Sequence, residues 1–387
     1  MSELGSSGAA AQNEEVLRAR AYLSRVAEPP AQALGRFVDQ VGPVVAAGRV
    51  RRGEVPEPVA RETSARRSVD RAAADLAAAA AIGARLLTPE HEDWPHWPFA
   101  AFALSGVPEL APPLALWVRG PGRLADMCER AVAVVGARAA TAYGVHIAGE
   151  VVAGLADHGV TVVSGAAIGI DGAAHRGALA AEGLTVAVLA CGVDRAYPAA
   201  HDALLVRIAG SGLVVSEYPP GCVPGRHRFL VRNRLIAGMG AGVLVVEAGV
   251  RSGARRTAAD AGALGRLVMA VPGPVTSGLS AGCHQLVRDG AVLVTRTEEV
   301  LEAVGRIGLD LAEELAAPAR PTDGLEGVLA LVHDALPARA ARETRWLAME
   351  AGVPLAAVRA ALVDLERRGL AEHRDGRWRR PARARAG

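Results

Sequence analysis

The chain contains no lysine: all 43 of its strongly basic side chains are arginine. GC-rich coding would produce such a bias, but the physical consequence holds whatever the cause. Every phosphate contact must come from a planar guanidinium or a backbone N–H. A Walker A loop, which needs its lysine, is excluded. Aromatic residues are also scarce, at 3% of 387 positions, so any ring beside a basic cluster is informative. Four cysteines (Cys128, Cys191, Cys222 and Cys283) lie far apart without C-x-x-C spacing, which suggests neither a zinc site nor a disulfide framework. The ten histidines form no H-E-x-x-H. The alanine-rich run from Ala72 to Leu87 is interrupted by Asp75 and Arg85 and is too broken to span a bilayer. The N-terminus is polar and acidic, unlike a signal peptide. A cytoplasmic location without membrane insertion is expected.

Hydrophobic residues make up 51% of the chain, which argues against wholesale disorder and for a core of Ala, Val and Leu. The length accommodates one sizeable α/β core with one or two smaller modules. Residues 1–13, rich in Gly, Ala and Ser, are expected to be disordered. From Glu14 to about Ala84 the apolar spacing is helical, with breaks at Pro29-Pro30, Pro56 and Pro58. This predicts a small helical domain over 14–84. Between Leu86 and Gly122, Pro and Trp suggest an extended connector, with Leu114–Val118 adding a strand to the sheet C-terminal to it. Short apolar runs then alternate with helical stretches: Ala131–Val135, Val160–Ser164, Thr185–Ala190, Leu213–Ser216, Gly242–Glu247, Val268–Val271 and Val292–Thr295. Such alternation means a buried parallel sheet covered on both faces. The predicted architecture is α/β. An extended Rossmann-like parallel sheet over 85–310 is flanked by the N-terminal helical domain and, after a Pro/Ala linker at 311–324, by a winged helix over 325–380. In the last, a helix from Leu355 to Arg368 precedes two short extended pieces joined at Asp375-Gly376. Residues 381–387 form a basic tail, and from Arg320 onward thirteen Arg oppose nine acidic residues.

Ligands bind such sheets at the carboxyl ends of the strands, and four loops there carry suitable chemistry. Val135-Gly136-Ala137-Arg138 places backbone N–H groups and Arg138 where a phosphate could sit, though an ordinary strand–helix turn reads the same way. Ser164-Gly165-Ala166-Ala167-Ile168-Gly169-Ile170-Asp171 permits close backbone approach, with Asp171 either a general base or a helix cap. Arg226-His227-Arg228-Phe229-Leu230-Val231-Arg232-Asn233-Arg234 gathers four arginines, an aromatic and an amide at the start of a helix. Helical spacing puts Arg228 and Arg232 on one face, and Phe229 and Asn233 on another. Arginine pairs suit phosphates, and a lone ring beside them suits a stacked base; the alternative is a solvated basic helix start with Phe229 in the core. Glu247-Ala248-Gly249-Val250-Arg251-Ser252-Gly253-Ala254-Arg255-Arg256-Thr257 offers an anion site at Ser252-Gly253, with Arg251, Arg255 and Arg256 alongside and Glu247 orienting a neighbouring arginine or acting as a catalytic carboxylate. Gly238–Gly242 precedes a strand and reads as a turn. With no acid–base pair, triad or metal spacing, the expectation is a binding protein without catalytic residues or cofactor.

These motifs, taken in order with Ala174-His175 and Val271-Pro272-Gly273, resemble the DNA-processing protein A family (DprA, also called Smf) over roughly residues 100–300. The helical module, SAM-like, and the winged helix resemble accessory domains of many members. The resemblance implies homodimerisation, cooperative binding of single-stranded DNA and loading of RecA recombinase in natural transformation, with single-strand-binding protein a candidate further partner. By motif position it places DNA contacts on Arg138, Ser164, Gly165, Phe229, Arg232 and Asn233. Two stretches depart from the family pattern: Ser252-Gly253-Ala254-Arg255-Arg256 replaces Ser-Gly-Ala-Leu and a non-basic residue, and Gly282-Cys283-His284 replaces Gly-x-Asn. Two other readings compete. One is a hydrolase of nucleotides or of their N-glycosidic bond, using Glu247 and Asp171, although the Pro-Gly-Gly-x-Gly-Thr loop common in such hydrolases is lacking. The other is a duplex-binding regulator acting through the winged helix and its basic wing, Arg374 to Arg380.

Overall fold

A computed structural model of the protein describes residues 3–305, 312 and 321–381. The chain divides into two compact units, Met1–Ala312 and Glu313–Gly387. The first runs α1 (Glu3–Val26), α2 (Gln32–Val41), α3 (Pro43–Arg52), α4 (Glu57–Thr63), α5 (Ala72–Ala81), β1 (Ala84–Leu87), α6 (His96–Leu104), β2 (Leu116–Arg119), α7 (Leu124–Glu129), β3 (Ala131–Gly136) and α8 (Ala142–Asp157). It continues with β4 (Thr161–Ser164), α9 (Ile170–Ala180), β5 (Thr185–Leu189), α10 (Asp202–Ser211), β6 (Leu213–Ser216) and α11 (Arg226–Met239). It ends with β7 (Gly242–Val246), α12 (Gly253–Ala263), β8 (Leu267–Ala270), α13 (Ala281–Arg288), β9 (Val292–Leu293) and α14 (Thr297–Val304).

The apolar runs pair as a nine-stranded sheet in the order β1-β2-β6-β5-β4-β3-β7-β8-β9. From β6 to β9 every neighbouring pair is parallel; β2 joins β6, and β1 joins β2, antiparallel. Strands β4, β5, β6 and β7 are buried along their whole length, as continuous apolar runs must be when helices cover both faces. One apolar cluster unites Phe99, Phe102, Leu235 and Ala258 with Val135 and Val245, and the opposite face packs Ala148, Val152, Ala174 and Leu301 on Val132, Val134 and Leu244. The chain moves outward from β3 through β4, β5 and β6, then returns to set β7 on the other flank of β3. The connections after β3 and β7 therefore leave toward opposite faces and open a crevice at their carboxyl ends.

The sequence expectations need three corrections. Helix α1 starts at Glu3, so the disorder expected over 1–13 is not met from Glu3 onward, and residues 1–2 lie outside the described residues. Ala9-Ala10-Ala11 and Glu14-Glu15 are strong helix formers, and extending an established helix requires no new nucleus. The connector expected over 86–122 is partly helical: α6 buries Phe99 and Phe102, stacked edge-on at 5.4 Å. It also follows β1, a strand that the polar residue Arg85 obscured in the sequence. Finally, α1–α5 form as helices but have no core of their own. Tyr22, Leu23, Leu34 and Val50 pack in one cluster with Trp117, Leu189, Leu205 and Ile208 of the sheet region.

Most of the linker expected at 311–324 and the tail beyond Pro381 lie outside the described residues. The second unit contains α15 (Gly327–Ala335), β10 (Arg342–Glu343), α16 (Thr344–Ala351), α17 (Leu355–Arg367), β11 (Glu372–Arg374) and β12 (Arg377–Arg379). Its strands pair antiparallel in the order β10-β12-β11 around a core of Val332, Leu347, Val358, Leu362, Leu365 and Trp378. Asp375 and Gly376, with φ of 48° and 74°, make the hairpin turn, as an Asp-Gly pair favours. Among the described residues no single helix is long and apolar enough to cross a membrane.

Candidate nucleic-acid interface

The crevice at the carboxyl ends of β3 and β7 holds a cavity of about 550 Å³ whose walls include Arg138, Asp171, Phe229, Arg232, Asn233, Arg251, Ser252 and Gly253. A second cavity of about 300 Å³ shares Arg138, Ala139, Ala167 and Phe229 and adds Gly165, Ile168, Tyr197 and Pro198. Between them stands a ridge: the exposed Arg138 guanidinium lies 5.6 Å from the centre of the Phe229 ring, which meets Tyr197 at 5.2 Å and 44°. A cation over a ring face is attracted by its quadrupole, which helps the ridge hold its shape.

Close backbone approaches build the walls. Gly169, at φ +90°, brings the loop after β4 against the loop after β3, where a Cβ would stand 2.2 Å from the Ala137 carbonyl; only glycine fits. At Gly165 a Cβ would stand 2.4 Å from Nη1 of Arg232, which donates to the Gly165 carbonyl at 2.7 Å and to the Val188 carbonyl. Arg232 is thus only 5% exposed, and its Nε has no partner. Burial pushes its pKa down to about 10, with Asp171 opposing that shift and Arg138 adding to it. Asp171 is the acidic residue in the larger cavity's wall. Burial raises its pKa against the pull of Arg232 and of loop N–H groups, of which Ala167 donates at 3.4 Å. Helix α9 is capped at Gly169 rather than at Asp171. Two guanidiniums near a single buried carboxylate leave local positive charge that an anion would relieve.

Across the cavity, α12 begins at Gly253 after Ser252, whose hydroxyl caps no N–H and has no partner. The exposed Arg251 stands beside it. The free N–H groups of a helix start and an adjacent guanidinium suit an anion. Glu247, in contrast, neither lines the cavity nor orients an arginine. With φ of 56° it turns back to accept the Thr141 N–H at 2.9 Å and the Thr141 hydroxyl. It thereby locks the loop after β3 at the start of α8, which corrects both of its expected roles.

Four further expected contacts are placed elsewhere. The Ser164 hydroxyl is fully buried and donates to the Val134 carbonyl at 2.6 Å. Arg228 does not act with Arg232: it grips Glu28 of the N-terminal helical region with Nε at 2.7 Å and Nη2 at 3.0 Å, and lies over Tyr218 at 4.6 Å. Arg255 donates to the Val250 carbonyl at 2.8 Å, and Arg256 pairs with Asp260 at 2.8 Å; neither lines a cavity here. The partners of Ser164 and Arg228 lie far away in sequence and spacing does not reveal them, whereas those of Arg255 and Arg256 are local, Asp260 standing four residues after Arg256. Arg138, Gly165, Phe229, Arg232, Asn233, Arg251, Ser252 and Gly253 do converge. Tyr197 and Ile168, 42% and 53% exposed, complete the second cavity unforeseen. The scarcity that singled out Phe229 applies equally to Tyr197, one of four tyrosines.

The family model for DNA recombination-mediator protein A matches residues 85–305, the segment that carries every wall of both cavities. The chain belongs to that family. Similar along nearly its whole length is the putative DNA processing protein DprA of Mycobacterium tuberculosis, 55% identical over 365 residues, 94% of each chain. Protein Smf of Escherichia coli is 44% identical over 191 residues, 49% of this chain and 50% of that one. The X-ray structure of DNA processing protein A from Streptococcus pneumoniae superimposes with a TM-score of 0.61 at 31% identity, over 74% of this chain and 96% of that one. In this family member the ridge of Arg138 and Phe229 therefore lies inside the segment that defines membership.

Proposed function

We propose that the protein is a cytoplasmic, non-catalytic mediator that grips single-stranded DNA in the crevice and delivers it to RecA recombinase, as in the uptake of transforming DNA. The observation that carries this reading is the ridge of Arg138 over Phe229, flanked by two cavities and by the start of α12. A guanidinium set on a ring offers a backbone phosphate and a base their two favoured contacts side by side. Two guanidiniums, Arg138 and Arg232, beside the single carboxylate of Asp171 supply a reason for an anion to enter. Family membership supports DNA as that anion, and names such as "DNA processing protein" among its relatives agree. Glu247 is occupied with Thr141, which counts against one of the two carboxylates of the hydrolase reading. The α1–α5 region and the second unit are read as SAM-like and winged-helix accessory domains. A homodimer, and contact with single-strand-binding protein, belong to the same reading.

Fluorescence anisotropy of a labelled strand and its duplex across a salt titration tests it. Tight, salt-sensitive preference for the strand is expected. Arg138→Glu should weaken binding and flatten the slope of log K against log salt by at least about 0.7, the value for one lost phosphate contact on a single strand. Removing residues 320–387 should leave most of the binding in place. Wild-type affinity in Arg138→Glu would overturn the reading, and loss of all binding on truncation would move the function to the second unit.

A further inference from the structure

The N-terminal helical region carries positive charge that neither the core nor the crevice uses. Between Arg49 and Arg71 seven arginines oppose four acidic residues, an excess of three against two for the whole chain. Folding brings part of this charge beside the start of α11. Glu28, just after α1, receives Arg66 at 2.7 Å from the helical region, and Arg228 and His227 at 2.7 and 3.1 Å from α11. One carboxylate thus serves two guanidiniums, so the seam between the two elements keeps net positive charge. Arg226 extends the seam on the α11 side and Arg67 on the other. Both are exposed, and neither side chain has a hydrogen bond or ion pair among the described residues. Arg67 is nevertheless held in place. Its carbonyl accepts from the Tyr22 hydroxyl at 2.6 Å, and its Nη1 lies 2.1 Å from where a Cβ on Gly53 would stand, so the guanidinium rests against the turn that closes α3. Arg226 opens α11 three residues before Phe229, which puts both on one face of the helix, yet it lines neither cavity.

We propose that the N-terminal helical region forms part of the nucleic-acid interface. The backbone of a strand leaving the crevice at Phe229 continues over Arg226, the Glu28 seam and Arg67, with Arg226, Arg66 and Arg67 binding its phosphates. The inference rests on the single-strand reading above. Two rings beside the seam, Tyr22 and Tyr218, are buried. Each lies beneath a guanidinium, Arg51 at 4.1 Å and Arg228 at 4.6 Å. These rings therefore position cations and stack no base, and contacts to phosphate alone carry no sequence information. Because α1–α5 share an apolar cluster with the sheet, the track and the crevice keep a fixed spacing. A strand long enough to reach both makes the second set of contacts without docking a separate domain.

The test compares strands too short to leave the crevice with strands long enough to cross the seam, using the full chain. Across dT strands of about 4 to about 16 nucleotides, the range of site sizes for grooves that hold single strands, wild-type affinity and its salt slope should rise with length. Arg67→Glu and Arg226→Glu should bind the shortest strand as wild type does, which also reports an intact fold. On the longest strand each should flatten the slope of log K against log salt by at least about 0.7. Arg67→Lys, which keeps the charge, should retain the wild-type slope. Phenylglyoxal, which modifies exposed guanidiniums, adds an independent readout by peptide mapping. The longest strand should protect both Arg67 and Arg138, and the shortest should protect Arg138 but not Arg67. Wild-type slopes on the longest strand in both variants, or equal labelling of Arg67 with and without that strand, would overturn the track while leaving the crevice reading intact. Equal losses on short and long strands would overturn it as well, by placing these arginines in the grip of the crevice itself. Failure of the wild type to bind any strand would instead defeat the single-strand reading, and the track with it.

Discussion

Replacing Glu28 with glutamine should loosen the first turn of α11, the turn that carries Phe229. Glu28 accepts from Arg66 at 2.7 Å, from Arg228 at 2.7 and 3.0 Å, and from His227 at 3.1 Å. Burial by itself would raise its pKa, but the hydrogen bonds from Arg228, Arg66 and His227 outweigh it and hold the carboxyl below its ordinary value. The Glu28 and Arg228 side chains are 28% and 14% exposed, so water screens part of the attraction. Breaking a fully buried pair costs about 3–5 kcal/mol and an exposed one up to about 1 kcal/mol. A loss of about 1–3 kcal/mol lies between these limits. Because the folded pKa is depressed, this stabilisation is present above the ordinary glutamate value of 4.5 and is lost as pH falls below it. Urea unfolding of wild type and Glu28→Gln at pH 7 and pH 4 should show a gap that narrows at the lower pH. Hydrogen exchange should quicken in residues 226–230 of the variant. A double-mutant cycle with Arg228→Gln should show coupling of at least about 0.5 kcal/mol. Unchanged unfolding midpoints and unchanged exchange at α11 would refute the reasoning, since four hydrogen bonds would then be contributing nothing.

Two other consequences can be checked on the same protein. Glu217 and Arg234 form a two-pronged pair at 2.7 Å, with side chains 4% and 1% exposed; Glu217→Ala strands the guanidinium and should cost about 3–5 kcal/mol, read as a lower urea midpoint. Burial pushes the thiols of Cys128, Cys191 and Cys283 up to about 12, 11 and 11, whereas Cys222 is only half-buried. A maleimide at pH 8 should therefore label Cys222 first in the native state, the other three following only on unfolding, as peptide mapping would show.

Much of the fold is legible in the chain because a parallel sheet buried on both faces needs uninterrupted apolar strands. Leu213–Ser216 and Arg377–Arg379 lie where expected, and the glycine-bearing ends of β3 and β4 mark the crevice. Strand β1 is not legible, since Arg85 interrupts it and its partner β2 lies some thirty residues away in sequence. The candidate site divides in the same way. Loops that follow strands of one sheet must open at one end, so Arg138, Phe229, Arg251 and Gly253 could be grouped from the order of strands and loops alone. What an arginine faces is a matter of long-range packing. Arg228 finds Glu28 two hundred positions away, Arg232 turns inward to the Gly165 and Val188 carbonyls, and Arg255 and Arg256 satisfy themselves nearby. In a chain whose only strongly basic residue is arginine, type and spacing cannot separate a structural guanidinium from a ligand-binding one. Composition and periodicity determined the sheet and the end of it at which the candidate site opens. Tertiary structure alone decided which guanidiniums remain free, because a buried charge must be satisfied by whatever the fold brings within hydrogen-bond reach.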